Sequence, residues 1–408
     1  MPPVLPPDPA REIIDFGLTA DDLSPAPVQP AAAPLIDLGL PWPAGQAPQP
    51  QPWPDGEEPD PGDPLPRADV LVITWTVAEH EALADVLTPG FGRNTWSRYT
   101  RRFDTHYRPL IRNGAPALRA GRLGSYFRTR IEGRLLVVFK SELHLNQDGR
   151  RTGDGTATLP VKDMFHQLIE EVQPELVITV GTAGATFPPQ GSSNVEGQAC
   201  PPHELGDVII TRGAKFRLQR EFANEAFARA SYRCINFTIP TRRLDDARTL
   251  LHVHAAKLVE PAFGPPHTKY DWPLGGPIAG FANAPDFKID GRDFPEFHPI
   301  LTTDFFEFGT SRNGLEREGS GVEMGDAVLG LVAQEINAAG GTPPKWLVVR
   351  NASDPQINGG LPNRETPGIP PELRRGLDMQ AHWAVWYYET YGYWTSVNSA
   401  IAVWAMVA

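Results

Sequence analysis

Strand-like apolar runs alternate with helical segments from Ala68 onward, and this alternation limits the fold more than any other feature. The strand-like runs are DVLVITWT (69–76), LLVVFKSEL (135–143), ELVITVGTAGA (175–185), GDVIITRGA (206–214), HPILTTDFFEF (298–308) and KWLVVRNASD (345–354). The helical segments are VAEHEALADVL (77–87), LPVKDMFHQLIEEVQ (159–173) and GVEMGDAVLGLVAQEINAAGG (321–341). Alternation of this kind predicts an α/β domain with a largely parallel or mixed sheet.

The first 66 residues have a different composition from the rest. They hold 19 of the 44 prolines and 11 acidic residues against one basic residue, Arg11, so they supply −10 of the net charge of −12. Such a segment offers little apolar surface to offset chain ordering, which predicts a disordered, proline-rich acidic tail. The folded body is then expected to span residues 67–408.

Two short islands within residues 11–43 share the pattern I-D-[FL]-G-L, at 14–18 and 36–40. They are the parts of the tail with apolar anchors, and they could dock a protein partner or the body of this chain. Chance similarity in a biased segment is the alternative.

Three long irregular stretches, at 91–134, 186–204 and 231–298, are interpreted as inserts. The first contains 11 arginines interleaved with aromatic residues. Arginine next to aromatic side chains suits phosphate or nucleic acid. A solvated or interface-forming insert that pairs with the acidic tail is the alternative. The same arginines could also supply a phosphate site.

Two cysteines, Cys200 and Cys234, are too few for a disulfide framework, and the N-terminus lacks the pattern of a signal peptide. We therefore expect a cytoplasmic protein. The apolar C-terminal stretch SVNSAIAVWAMVA (396–408) is too short to span a membrane and predicts a buried terminal helix. His, Cys and Glu residues lack the paired spacing of a metal site, so no metal is expected.

Two predicted strands end in polar or small residues that the strand itself does not require. The run 346–355, WLVVRNASDP, leads an apolar strand directly into Ser353 and Asp354. An Asp-Pro turn would account for this, but a half-buried carboxylate is unfavourable unless it is paired or reactive. The run 177–185, VITVGTAGA, breaks into small residues that would let a ligand approach the backbone. Its spacing matches neither a dinucleotide fingerprint nor a P-loop.

The order of the motifs resembles the nucleoside phosphorylase/nucleosidase superfamily. The matching pieces are a first strand leading to Glu79, then V-G-T-A-G-A, L-G-D-V-I-I, V-E-M and R-x-x-S-D. This superfamily includes purine and uridine phosphorylases, AMP nucleosidase and methylthioadenosine/S-adenosylhomocysteine nucleosidase. The resemblance covers about residues 68–408. It implies a three-layer sandwich with a central mixed sheet flanked by helices, a homo-oligomer, a nucleoside or nucleotide ligand and no cofactor.

The resemblance also implies roles for individual residues. Asp354 would donate a proton to, or hydrogen-bond, purine N7 as the N-glycosidic bond breaks, and Ser353 would orient it. Glu79 would activate water against the anomeric carbon. The remaining implied substrate-binding residues are Thr182, Ala183 and Gly184 in the small-residue turn, Phe306 at the base, and Glu323, Met324 and Asp326 at the sugar.

Two departures from the family pattern matter. Phosphorylases carry a phosphate-binding Arg at the position where this chain has Thr179. The absence of that Arg favours water over phosphate as the nucleophile, and therefore a purine N-ribosyl hydrolase over a phosphorylase. The family usually reads V-E-M-E, whereas this chain has Gly325 followed by Asp326. Either Asp326 takes over the contact with the ribose, or the sugar is held differently. A nucleotide-binding sensor that has lost catalysis is the alternative from a different functional class of protein.

Overall fold

The computed structural model describes residues 38–258, 285–361, 363 and 378–407. The strands are β1 (Gln49–Pro50), β2 (Val70–Thr74), β3 (Ser97–Tyr99), β4 (Gly124–Ile131), β5 (Arg134–Ser141), β6 (Leu176–Ala185), β7 (Ser193–Val195), β8 (Gln198–Cys200), β9 (Val208–Thr211), β10 (Gly213–Phe216), β11 (Ser231–Arg233), β12 (Phe287–Ile289), β13 (Ile300–Thr302), β14 (Gly321–Glu323) and β15 (Lys345–Asp354). The α-helices are α1 (Val77–Leu87), α2 (Pro116–Ala120), α3 (Leu145–Asp148), α4 (Pro160–Val172), α5 (Leu244–Ala255), α6 (Ala327–Ala338) and α7 (Met379–Met406).

A mixed sheet forms the centre of the fold, as the alternation predicted. Strand β6 lies in its middle and pairs in parallel with β2 on one side and β15 on the other. The path of the sheet runs β1-β4-β5-β2-β6-β14-β13-β10-β11, and β15 also pairs antiparallel with β9. Because β2, β6 and β15 are parallel, their carboxyl ends meet at one edge of the sheet.

Helices cover both faces of this sheet, which confirms the three-layer α/β sandwich. On one face, α4 and α6 contribute side chains such as Phe165 and Val328 to a core that also contains Ile73 and Val348 of the strands. On the other face, α1, α5 and the C-terminal part of α7 pack against alternate residues of the same strands. Alternation of side chains across each strand divides them between the two cores.

The prediction of a disordered tail over residues 1–66 is wrong for residues 38–66. Strand β1 pairs with β4 at the edge of the sheet. The Trp42 ring lies 5.1 Å from the Trp404 ring, and the Trp404 indole donates to the carbonyl of Gln46 at 2.7 Å. Leu38 and Leu65 are buried. Apolar side chains therefore fix this proline-rich segment with very little regular backbone pairing.

The end of the second I-D-[FL]-G-L island contacts the folded body of the chain. The Lys257 ammonium donates to the carbonyls of Leu38 and Gly39. The first island and the other residues of the predicted docking segment 11–43 that precede Leu38 lie outside the described residues.

The stretch 91–134 is part of the folded body. It contains β3 and β4, and its aromatic residues are buried: Trp96, Tyr99, Phe103, Tyr107, Tyr126 and Phe127. Buried rings cannot stack on nucleic-acid bases, which argues against the alternative of a nucleic-acid surface. Two of the arginines contact the N-terminal segment instead. Arg128 lies 3.4 Å from the centre of the Trp53 ring, and Arg101 donates to the carbonyl of Gly62.

The other two inserts are also more regular than expected. Residues 186–204 contain the hairpin of β7 and β8, and residues 231–298 contain β11, α5 and β12 around the undescribed residues 259–284. The predicted terminal helix is present and extends further, since α7 begins at Met379. Across the described residues, no helix combines the length and apolarity that crossing a membrane requires.

Candidate active site

A cavity of about 400 Å³ lies where the carboxyl ends of the central strands meet. We call it the catalytic cavity, after the role predicted for the residues that line it. Nine of the ten residues predicted for the site line it: Glu79, Thr182, Ala183, Gly184, Phe306, Glu323, Met324, Ser353 and Asp354. Helix α7 closes the cavity on another side with Tyr388, Tyr393 and Trp394, among others. The parallel arrangement of β2, β6 and β15 therefore brings together residues that are up to 275 positions apart.

Asp354 ends β15 with a carboxyl group that is almost completely buried. The Ser353 hydroxyl donates to Asp354 Oδ1 at 3.0 Å, whereas Oδ2 has no hydrogen-bond partner among the described residues. Burial raises the pKa of Asp354 to about 7. A carboxyl group in this state can hold a proton near neutral pH and donate it to a ligand.

Gly184 makes room for this carboxyl group. A Cβ at position 184 would lie 2.9 Å from Asp354 Oδ2, so a larger residue would displace the acid. The glycine at position 184 is thus explained by the close approach of β15.

Glu79 is held by an extensive set of donors. Its Oε2 accepts from the Thr74 hydroxyl and from the backbone N–H groups of Trp75 and Thr76, at 2.9 to 3.1 Å. Its Oε1 accepts from the N–H and the hydroxyl of Thr182, at 2.8 and 2.9 Å. The same carboxylate completes a capping box with Thr76 at the start of α1.

These contacts fix the charge of Glu79. Burial opposes ionisation, but the Arg350 guanidinium and the backbone donors outweigh it and lower the pKa of Glu79. Glu79 is therefore a rigid carboxylate at the wall of the cavity, and both of its oxygens are already in use as acceptors. The Thr182 N–H, predicted to face substrate, is one of the groups that hold it.

Arg350 lines the cavity and interacts with three carboxylates. It forms two hydrogen bonds to Asp326, at 2.9 and 2.6 Å, one to Glu323 at 3.3 Å, and lies 3.8 Å from Glu79. These three carboxylates raise the already high pKa of Arg350 and keep it charged despite its burial. A fully buried cation of this kind needs such pairing.

The position of Asp326 argues against the alternative in which it takes over the contact with the ribose. Its side chain is completely buried under Arg350 and does not line the catalytic cavity. Glu323 lines the cavity, but it accepts from the N–H groups of Gly325 and Asp326 and from the Thr302 hydroxyl. Burial and the neighbouring Asp326 raise the pKa of Glu323 to about 8.

Trp75 explains why position 325 is a glycine. A Cβ on Gly325 would lie 2.9 Å from Cζ2 of the Trp75 ring. This ring also lies 4.9 Å from the Arg350 guanidinium, and its indole nitrogen has no acceptor among the described residues. An indole therefore fills the space next to Gly325.

Acidic groups dominate the wall of the catalytic cavity. The carboxyl side chains that line it are Glu79, Glu81, Glu307, Glu323, Asp354 and Glu389. Among the described lining residues, Arg350 is the one Lys or Arg side chain, and Asp326 binds it at two atoms. Thr179 is fully buried and does not line the cavity. The arrangement favours a neutral or cationic group over a free phosphate ion.

Sequence reasoning did not assign roles to Arg350, Trp75 or the residues of α7. The signal for Arg350 was present, because a charged residue interrupts an apolar strand three positions before Ser353. Trp75 and α7 carried no such signal, since their positions depend on tertiary packing. No group of three or more His, Cys, Asp or Glu residues within the described part of the chain is arranged to hold a metal ion.

No protein-family model matches this chain, and no curated protein matches it. Solved structures do resemble it, at low identity. A 5′-methylthioadenosine/S-adenosylhomocysteine nucleosidase from Neisseria meningitidis, in complex with methylthio-immucillin-A, is 15% identical with a TM-score of 0.38, covering 83% of this chain and 98% of the other. Futalosine hydrolase from Helicobacter pylori is 11% identical with a TM-score of 0.39, covering 83% and 96%.

A putative nucleosidase of the first type from Borrelia burgdorferi, bound to adenine, is 12% identical with a TM-score of 0.39, covering 83% and 98%. These proteins are of the kind that the order of the motifs resembles. The likeness is too remote to carry over a substrate or a mechanism, so function rests on the side chains of the catalytic cavity.

Proposed function

We propose that this protein is a purine nucleoside or nucleotide N-ribosyl hydrolase. The observation that carries the proposal is Asp354, a buried carboxyl group with one unpaired oxygen at the wall of a cavity. Its pKa, raised by burial to about 7, suits a general acid at neutral pH.

In the proposed reaction, protonated Asp354 donates its proton to purine N7 while the bond between the base and the anomeric carbon breaks. The base then leaves as a neutral molecule, and positive charge develops on the sugar. The fixed negative charge of Glu79 stabilises that charge. Water adds its oxygen to the anomeric carbon and passes a proton to Glu79. The products are the free base and ribose, or ribose 5-phosphate when the substrate is a 5′-monophosphate.

The charge of the catalytic cavity supports water as the nucleophile. A phosphate ion would have to approach the ionised carboxylate of Glu79, and the single arginine that lines the cavity is already paired with Asp326. Phosphorylases need free cationic donors for their second substrate. The described residues that line this cavity offer none.

A second candidate is a nucleotide-binding sensor without turnover. Two observations favour it: both oxygens of Glu79 already accept hydrogen bonds, and Trp75 occupies the space next to Gly325. A sensor would bind nucleosides but release no base.

Incubation of the purified protein with a panel of purine nucleosides and nucleotides, with and without inorganic phosphate, separates these functions. Free base with ribose, or with ribose 5-phosphate from a nucleotide, formed at a rate that phosphate does not change, would support the hydrolase. Ribose 1-phosphate would show a phosphorylase. Thermal stabilisation by a nucleoside with no product by mass spectrometry would show a sensor.

A further inference from the structure

A second cavity of about 790 Å³ lies beside the catalytic cavity. The two cavities share the side chains of Phe306 and Phe308 in their walls. We call the second one the arginine cavity, because Arg112, Arg151 and Arg220 line it. A ligand that reaches past the two phenylalanines could occupy both.

The acidic residues of the arginine cavity are already engaged. Glu221 is almost completely buried and accepts from Arg112 at 2.9 and 3.2 Å and from Arg151 at 2.6 Å. Asp304 accepts from three backbone N–H groups, at residues 219, 220 and 222. Asp378 accepts from the Ala381 N–H at the start of α7.

The arginines, in contrast, keep donors to spare. Arg151 uses one nitrogen for Glu221, and 64% of its side chain is exposed. Arg220 forms no side-chain hydrogen bond or ion pair with any described residue, and its guanidinium lies 5.8 Å from the centre of the Phe305 ring. Arg112 is anchored by Glu221 and by the Asn146 carbonyl, so it holds Glu221 in place and the spare donors belong to Arg151 and Arg220. Planar guanidinium groups in this state match phosphate and carboxylate oxygens.

We propose that the arginine cavity binds an anionic group, phosphate or carboxylate, on C5′ of the nucleoside whose glycosidic bond lies in the catalytic cavity. This inference rests on the proposed function and selects a 5′-anionic nucleoside as the substrate class. The ionised carboxylates of the catalytic cavity, Glu79 among them, repel an anion, whereas the spare donors of Arg151 and Arg220 attract one. The arginine cavity adjoins the implied sugar contact Met324, because the Asn146 amide that lines it donates to the Met324 sulfur at 3.1 Å.

The kinetic test compares a purine nucleoside with its 5′-monophosphate and its 5′-carboxylate. In Arg151→Gln and Arg220→Gln, the ratio of kcat/KM for the anionic substrate to that for the nucleoside should fall about tenfold, because a charge-assisted hydrogen bond is lost. The anionic substrate with the higher kcat/KM in the parent protein identifies the anionic group that the cavity binds. Arg150→Gln is the matched control, since this neighbouring arginine donates to the carbonyl of Pro109 and does not line the cavity. It should leave the ratio unchanged.

An unchanged ratio in both cavity variants, or the same change in the control, would overturn the inference. If no nucleoside is cleaved, the proposed function fails, and equilibrium binding then decides the inference separately. The 5′-monophosphate should raise the melting temperature of the parent and of Arg150→Gln more than the nucleoside does, and Arg151→Gln and Arg220→Gln should abolish that difference. Equal shifts in all four proteins would rule out the anion site.

Discussion

Replacing Asp354 by asparagine tests the acid on which the proposed reaction depends. Asparagine has nearly the same shape but cannot donate a carboxyl proton to the leaving base. We expect Asp354→Asn to fold and to lower turnover by at least about 10²-fold, the usual contribution of a positioned general acid. In the parent, kcat should fall about tenfold per pH unit above about pH 7, because burial raises the pKa of Asp354 to about 7 and the carboxyl must be protonated.

The same shift in pKa predicts the effect on stability. The pKa of Asp354 rises from its usual 3.8 to about 7 in the folded protein. Its protonation therefore stabilises the fold fully below about pH 4, and this stabilisation is lost as the pH rises through about 7. This rise in the pKa of Asp354 corresponds to about 4 kcal/mol of unfolding free energy. The parent should lose about 2–3 kcal/mol more than Asp354→Asn between pH 5 and pH 8, because an amide stays neutral.

Denaturant unfolding at pH 5 and pH 8, together with product release from a purine nucleoside, provides the assay. Asp207→Asn is a control, since Asp207 is also a buried carboxyl with a pKa raised to about 6, but it lies outside the catalytic cavity. It should keep the turnover of the parent per folded molecule. Turnover of Asp354→Asn within a few-fold of the parent would refute the role of the acid. Identical loss of stability with pH in the variant and the parent would refute the raised pKa.

Three further outcomes are expected. Glu79→Gln should abolish hydrolysis while substrate still binds. It should also lower the melting temperature, because an amide nitrogen would face N–H donors. Cleavage that survives in the presence of phosphate would contradict the assignment of water as the nucleophile. Gly325→Glu should destabilise the fold by steric overlap with Trp75, and adding Trp75→Ala should restore the melting temperature; an unaltered single variant would disprove the overlap. A chain that begins at Ala68 should have a lower melting temperature than one that begins at Leu38, since residues 38–66 pack on both the sheet edge and α7. Equal melting temperatures would show that this packing does not stabilise the fold.

The fold and most of the site were predictable from local patterns. Apolar runs of the length of strands, separated by helical segments, predict the sandwich because burying both kinds of element in one core leaves few arrangements. Glu79, Thr182, Ser353 and Asp354 follow the carboxyl ends of such runs. Parallel pairing then places these ends at one edge of the sheet, so position along the chain predicts proximity in space.

The failures of sequence reasoning concern contacts between distant residues. Asp326 follows the start of a helix in the sequence, and only the approach of Arg350 from β15 turns it away from the cavity. Nothing near Gly325 in the sequence indicates that Trp75, 250 positions earlier, fills the adjacent space.

The sequence by itself determined the layered sheet, the edge at which the site lies and the acid that ends β15, because these depend on periodicity and on the direction of the strands. Tertiary structure decided which carboxylates face the cavity, where the free arginines lie and whether the proline-rich segment is ordered. Proline prevents regular backbone pairing, but it does not prevent Leu38, Trp42 and Leu65 from packing on the body. Burial of these side chains depends on surfaces that exist only after the rest of the chain has folded.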